Sequence, residues 1–174
     1  SLDDILDDDD CRIAAPADSM LGITVGSIVG HDHDGSISKK NDVAPYSRIG
    51  PGFAGYHKPD LVTYAGTIAN INGSYSVPSD NFATVISSNG NFEANAGTSF
   101  SAPMISGDLA EIYDALLIKD MLLAKTLLFH SSQHIIDTES CSPEDLAFIS
   151  NLYGRGVPNL ISSNFSSNSK VTFI

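Results

Sequence analysis

Basic residues are scarce in this sequence. Lysine and arginine together number 9, against 21 aspartate and glutamate residues, which gives a formal net charge of −12. Because a surface of this sign repels phosphate backbones, we expect no nucleic-acid partner. Long apolar runs are also missing, since none reaches the roughly 18–20 residues that a membrane-spanning helix needs. We therefore expect no membrane association, and the acidic start differs from the basic leading region of a signal peptide.

Cysteine is limited to Cys11 and Cys141, which do not form a C-x-x-C motif. The two residues could form a disulfide, although two separate thiols fit the sequence equally well. Hydrophobic residues make up 42% of the 174 positions and charged residues 17%. This composition is typical of one folded domain rather than of a disordered chain.

Several short stretches predict strands, and together with the helices below they indicate an α/β fold. An apolar, β-branched stretch at 21–29 predicts a buried strand, and Leu61–Tyr64 predicts a second. Two further strands, Phe82–Ser87 and Phe92–Ala96, flank Asn89-Gly90. Both of these residues tolerate positive φ, so the pattern favours a β-hairpin.

Three helices are predicted in the second half of the chain. Apolar residues recur every three or four positions after Ser101, at Met104, Ile105, Leu109, Ile112, Tyr113 and Leu116. This predicts a mostly buried helix that runs to about Leu116. A second helix covers about 119–131, and a third covers about 143–152, with Ser142 as its N-cap. We interpret 1–12 as an acidic lead-in, in which Ser1-Leu2 fits a cloning scar, and 162–174 as a linker followed by the start of a strand.

The stretch Gly97-Thr98-Ser99-Phe100-Ser101-Ala102-Pro103 lies between the predicted hairpin and the first helix. A serine at a helix N-terminus lies where unpaired backbone N–H groups converge and the helix dipole is positive. Those N–H groups can stabilise the oxyanion of a tetrahedral intermediate. The alternative is a serine that only caps the helix, which is the commoner role of an isolated Thr-Ser pair.

The segment GTSFSAPMISG resembles the G-T-S-x-[SA]-x-P nucleophile motif of the subtilisin-like serine peptidases (subtilases). Three other stretches resemble segments of that family in the same order: APADSMLGITVGSI at 15–28, YSRIGPGFAGYHKPDLVTYAG at 46–66 and YGRGVPNL at 153–160. These four landmarks cover about residues 13–160. The family's usual APG is replaced here by Tyr64-Ala65-Gly66, which resembles a divergent bacterial branch and slightly favours a cytoplasmic over an extracellular location.

The resemblance implies the C-terminal half of a parallel-sheet catalytic domain over 13–161, with a long central helix carrying the nucleophile. Ser99 matches the nucleophile, and the hydroxyl of Thr98 matches the one beside the oxyanion. The family's Asp, His and oxyanion Asn would lie upstream of residue 1. The resemblance thus implies a serine endopeptidase acting on peptides or proteins, whose missing N-terminal half completes the site. By itself the 174-residue chain would be inactive and prone to self-association, and a catalytically dead scaffold is the alternative.

No cofactor is required for this chemistry, and no metal ligand is assigned. A structural calcium ion at Asp7–Asp10 stays an alternative, although charge runs are usually solvated. His31-Asp32-His33-Asp34 contains residues of the ligand type, but we interpret it as a solvated turn. His130 and His134 would share a helix face, as zinc ligands do, but no third ligand accompanies them. His57 is expected in a surface turn.

Overall fold

The computed structural model describes residues 9–81 and 83–164, and in them six short strands precede four helices. The strands are β1 (Val25–Ile28), β2 (Leu61–Tyr64), β3 (Ala69–Ile71), β4 (Ser74–Ser76), β5 (Ala83–Ile86) and β6 (Phe92–Asn95). The helices are α1 (Thr98–Ala115), α2 (Met121–Ser131), α3 (Pro143–Tyr153) and α4 (Leu160–Asn164).

A parallel pair of strands, β1 and β2, forms the middle layer of the molecule, with Val25 opposite Leu61. Successive side chains of a strand point to opposite faces, so Leu61 and Val62 pack in two different hydrophobic clusters. Leu61 packs with residues of α1, of α2 and of the segment between them: Ile105, Ile112, Leu116, Ala124, Leu127 and Leu128. Val62 packs on the other face with Ile28 and with Ile149 and Tyr153 of α3. The result is a sheet covered by helices on both faces.

Asp60, just before β2, joins three parts of this layer. Its carboxylate accepts a hydrogen bond from the Thr24 N–H at 2.7 Å and lies 2.6 Å from the Lys58 ammonium. Lys58 is only 2% exposed and also donates to the carbonyl of Gly22 at 3.2 Å. On the other side, the Asp60 carbonyl accepts from the Arg155 N–H at 2.9 Å. The segment before β1, the start of β2 and the end of α3 therefore meet at one residue.

Gly154 ends α3 against this same junction. Its φ is +57°, and a Cβ at this position would lie 2.3 Å from the Pro59 carbonyl oxygen. Two of the sequence landmarks, K-P-D at 58–60 and Y-G-x-G at 153–156, are thus in direct contact. The buried ion pair requires Lys58 and Asp60, and the close approach of the two backbones requires a glycine at position 154.

The predicted α/β class and hairpin are confirmed: β5 and β6 pair antiparallel, with Ile86 opposite Phe92. In the turn it is Gly90 that adopts positive φ, at 83°. The first strand begins at Val25 rather than 21, because Ser19 Oγ accepts from the Gly22 N–H in a preceding turn. The predictions for residues 1–8, Phe82 and 165–174 lie outside the described residues. Cys11 and Cys141 are both free thiols.

Helix boundaries follow local capping. The second helix begins at Met121 rather than 119, because the Asp120 carboxylate accepts from the N–H groups of Leu122 and Leu123. The third helix begins as predicted: Ser142 and Asp145 form a capping box, with Pro143 at the first turn. The hydrogen bond from Ser142 holds the pKa of the Asp145 carboxyl below its ordinary value.

The prediction that the nucleophile-bearing helix is mostly buried is wrong for the described residues. Of its eighteen residues, Ser101, Ile105 and Ile112 are buried, and Met104 is 45% exposed. The described neighbours β1, β2, α2 and α4 pack on one side of α1 and leave the other side open. In the part of the chain that is described, no helix has the length and apolar character required to cross a membrane.

The Asp60 junction predicts unequal effects of removing its two charges. Asp60→Ala strands a buried ammonium without a counter-charge, and we expect the free energy of unfolding to fall by about 3–5 kcal/mol. Lys58→Met should lower the free energy of unfolding less. The Asp60 carboxylate still accepts the hydrogen bond from the Thr24 N–H, and its side chain is 20% exposed, so water can solvate it. Urea unfolding of both variants checks this order. A larger loss in Lys58→Met would contradict it.

Candidate active site

Ser99 is the second residue of α1 and is exposed to solvent. The chain arrives from β6, which ends at Asn95, and passes through the N-cap Gly97 at φ 149° and ψ 150°. Backbone N–H groups in the first turn of a helix have no helical acceptor, so they converge beside this hydroxyl. Within residues 9–81 and 83–164, the Ser99 hydroxyl makes no hydrogen bond.

A buried pair of hydroxyl groups anchors the first turn of α1 to the sheet. Ser101 is completely buried, and its Oγ lies 2.5 Å from Oγ of Ser27 on β1. The Ser27 N–H in turn donates to Ser47 Oγ at 3.0 Å. Because Ser101 is only two residues after Ser99, this contact fixes the position of the exposed hydroxyl relative to β1.

Tyr46 holds together three segments behind the serine. Its hydroxyl lies 2.7 Å from the carbonyl oxygen of Ala65 and 2.9 Å from that of Gly66. Burial raises the pKa of Tyr46 above its ordinary value, and hydrogen bonds from Ser27 and from the Gly97 backbone oppose this shift. The phenol thus contacts β1, the segment after β2 and the turn before α1. No local pattern in the sequence indicated this role.

Asn81 connects the hairpin to the same segment. It is 5% exposed; its Oδ1 accepts from the Thr67 N–H at 2.9 Å, and its Nδ2 donates to the Asn95 carbonyl at 2.7 Å. Asn95 is the last residue of β6, two positions before Gly97. The buried amide therefore positions the strand that leads to Ser99. Sequence reasoning missed this residue too, because a lone asparagine in a polar loop is an ordinary turn residue.

Thr98 faces a cavity of about 380 Å³ beside the start of α1. The apolar stretch 13–17, Gly26 of β1 and Tyr46 line its other sides. The predicted site residues Thr98 and Ser99 are therefore adjacent to a concave surface, with the threonine inside it and the serine at the exposed helix end. Clefts of this kind commonly accommodate ligand side chains.

The histidines lie elsewhere. His57 and His134 are exposed and border a separate pocket with Arg155. Helix α2 ends at Ser131, so His130 and His134 do not share a helix face. The expectation of a solvated turn at 31–34 is wrong for His33, whose side chain is 7% exposed because it packs beside Asp80 and His31. None of the described histidines contacts Ser99 by a hydrogen bond.

A comparison with protein families matches residues 7–156 of this sequence to the subtilase family. The chain belongs to the subtilase family. The resemblance inferred from the four sequence landmarks is thus confirmed, and so is the fold class. The roles of Ser99 and Thr98 in catalysis stay predictions.

Three proteins show how far the similarity of this subtilase chain extends. An uncharacterized protein of Sinorhizobium fredii, y4bN, is 31% identical over 191 residues, which covers 92% of this chain and 42% of that protein. The CspB protease of Clostridium perfringens has a TM-score of 0.58 at 22% identity, over 87% of this chain and 28% of the protease. The epidermin leader peptide processing serine protease of Staphylococcus aureus has a TM-score of 0.58 at 21% identity, over 88% and 33%.

The similarity covers most of this chain but only part of each related protein. The subtilase chain spans less than half the length of the relatives that it matches. At the identities of the two solved proteases, the likeness is one of fold. The described residues form the sheet, hairpin and helix of that fold, and they hold Ser99 at its exposed position.

Gly66 offers a test of how the site is assembled. A Cβ there would lie 2.3 Å from Asn81 Nδ2, whereas a Cβ at Gly73, with nearly the same positive φ, would meet nothing within 4 Å. Both changes to alanine incur backbone strain, but only Gly66→Ala displaces the amide. We expect Gly66→Ala to lower the free energy of unfolding by about 1–3 kcal/mol more than Gly73→Ala. Equal losses in urea unfolding would show that the contact is unimportant.

Proposed function

We propose that this subtilase chain is the nucleophile-bearing part of a serine endopeptidase, with Ser99 as the nucleophile. The observation that carries the proposal is the exposed Ser99 hydroxyl at the N-terminus of α1, within the segment that matches the family's nucleophile motif. Ser101 and Tyr46 support the role, because they hold the first turn of α1 and the turn at Gly97 against the sheet.

In the proposed reaction, Ser99 Oγ attacks the carbonyl carbon of a peptide bond. A carbon–oxygen bond forms, and a histidine supplied from outside the described residues takes the hydroxyl proton. The carbon–nitrogen bond then breaks, and the histidine delivers that proton to the leaving amine. In the second half, the histidine takes a proton from water, which attacks the carbonyl carbon of the acyl-enzyme. The bond from that carbon to Ser99 Oγ then breaks, and the histidine returns the proton to Ser99. No cofactor takes part in this sequence.

The N-terminus of α1 suits the charge that develops in this reaction. The tetrahedral intermediate carries a negative oxygen, and backbone N–H groups of the first helical turn, including that of Ser99, can donate to it. The hydroxyl of Thr98 would lie on the same side. The cavity beside Thr98 is then the place for a substrate side chain, since it adjoins the residue that directly precedes Ser99.

A catalytically dead interaction module is the second candidate. The observation that favours it is the absence of a histidine bonded to Ser99 among the described residues. The two candidates differ in one measurable way, because a scaffold does not require the hydroxyl of Ser99.

The first test uses a protein that contains this chain together with its upstream residues. Ser99→Ala should lower peptide hydrolysis by about 10⁴–10⁶-fold, because removal of one triad member abolishes the activated nucleophile. Ser106→Ala is the matched control: this serine is exposed on the same helix and donates to the Ala102 carbonyl at 2.9 Å. It should retain activity. Hydrolysis that survives Ser99→Ala would exclude Ser99 as the nucleophile, and an inactive parent would support the scaffold.

The 174-residue chain alone should hydrolyse no peptide. Without a base, the Ser99 hydroxyl keeps its proton and is a weak nucleophile. Intact-mass measurement after fluorophosphonate treatment should show the unmodified mass, as it should for Ser99→Ala. Stoichiometric modification at Ser99 would instead show that this chain contains its own activating group.

The open side of the chain predicts self-association. Large apolar side chains are strongly exposed around the end of α1 and the start of α2, with Leu117 at 98%, Ile118 at 71% and Leu122 at 73%. Contiguous exposed apolar surface favours association in water. Analytical ultracentrifugation should detect species larger than 18.4 kDa. A monomer that binds no apolar fluorescent dye would refute this expectation.

A further inference from the structure

Two histidines of the loop after β1 lie against an aspartate that is distant in sequence. His33 Nδ1 is 3.1 Å from the Asp80 carboxylate, and His31 Nε2 is 2.9 Å from the Asp80 carbonyl oxygen. The two imidazole rings are tilted by 53°, with their centroids 4.2 Å apart. One ligand-type atom from each of the three side chains lies within 4.8 Å of the other two.

The His33 side chain has an unsatisfied polar atom at this place. It is 7% exposed, and its Nε2 is buried without a hydrogen-bond partner among the described residues. The nearby loop residue Ser36 likewise has a buried hydroxyl oxygen with no partner. Leaving such a group without a partner is costly, typically about 1–3 kcal/mol. The His33 ring lies against a second imidazole and faces a carboxylate with its Nδ1, and its buried Nε2 has no partner among the described residues. This combination points to a missing ligand.

We propose that His31, His33 and Asp80 bind a zinc ion. Imidazole nitrogen and carboxylate oxygen are ligands that Zn²⁺ takes in proteins, at about 2.0–2.2 Å. Three protein ligands of this kind leave a fourth tetrahedral position, which water can fill because the Asp80 side chain is 77% exposed. Calcium is disfavoured, since it requires six to eight oxygen ligands and takes no imidazole in such sites.

The zinc ion would tie the hairpin to the sheet. His31 and His33 follow β1 closely, whereas Asp80 directly precedes Asn81, whose amide donates to Asn95 at the end of β6. An ion at this point cross-links two segments that are 49 positions apart in the sequence. Its contribution is structural: it holds the base of the hairpin that leads into α1.

The test is a titration of the metal-free 174-residue chain with zinc chloride. Isothermal calorimetry measures the binding, and thermal unfolding measures the melting temperature with and without zinc. We expect one zinc ion per chain, bound in the micromolar range or tighter, and a higher melting temperature on binding. Asp80→Asn should weaken zinc binding by at least about 10–100-fold, which is the loss caused by removing a residue that only hydrogen-bonds to a metal ligand. His31→Gln should do the same. Substitution with Co²⁺ should give the intense visible absorption of a four-coordinate ion.

Asp34→Asn is the matched control. Asp34 is an exposed carboxylate in the same loop that is not part of the cluster, so this variant should bind zinc as the unchanged chain does. Because the Asp80 side chain is exposed, Asp80→Asn should fold normally, which circular dichroism can verify. The proposal is overturned if the chain binds no zinc, if it prefers calcium chloride, or if Asp80→Asn and His31→Gln bind zinc as tightly as Asp34→Asn.

Discussion

The architecture depends on the buried contact between Lys58 and Asp60. An ammonium that is almost completely removed from water needs a partner, and here the Asp60 carboxylate is 2.6 Å away. The same carboxylate fixes the backbone before β1, and the Asp60 carbonyl fixes the backbone after α3. One residue therefore sets the register of the parallel strands and attaches the last long helix to them.

That register has a direct consequence for the candidate active site. With β1 held beside β2, Ser27 lies where it can bind the buried Ser101, and Tyr46 lies where its hydroxyl reaches the segment after β2 and the turn at Gly97. The exposed Ser99 is thus positioned from behind by hydroxyl groups that do not take part in chemistry. Asn81 adds the attachment of the hairpin from the other side. This supporting layer is held by hydrogen bonds, whereas the solvent side of α1 is open.

Features encoded by neighbouring residues were predictable. The period of apolar residues located α1, Asn89-Gly90 located the hairpin, and Ser142-Pro143 located the start of α3 to the residue. Errors occurred where a side chain competes locally with regular structure, as when Asp120 delays α2 by two residues. The burial of α1 was overestimated, because periodicity reports which face is apolar but not whether another element covers it.

By itself, the sequence determined the family, the α/β class and the place of Ser99 at the beginning of a helix, because each of these is written in a contiguous motif or a local period. Only the tertiary structure decided which distant residues meet. Asp80 joins His31 and His33 across 49 positions, and Tyr46 reaches the turn at Gly97. Such contacts follow from how the loops leave the sheet and leave no trace in local spacing. For the same reason the His33 side chain, predicted to lie in a solvated turn, is buried against Asp80, which follows β4 in the chain.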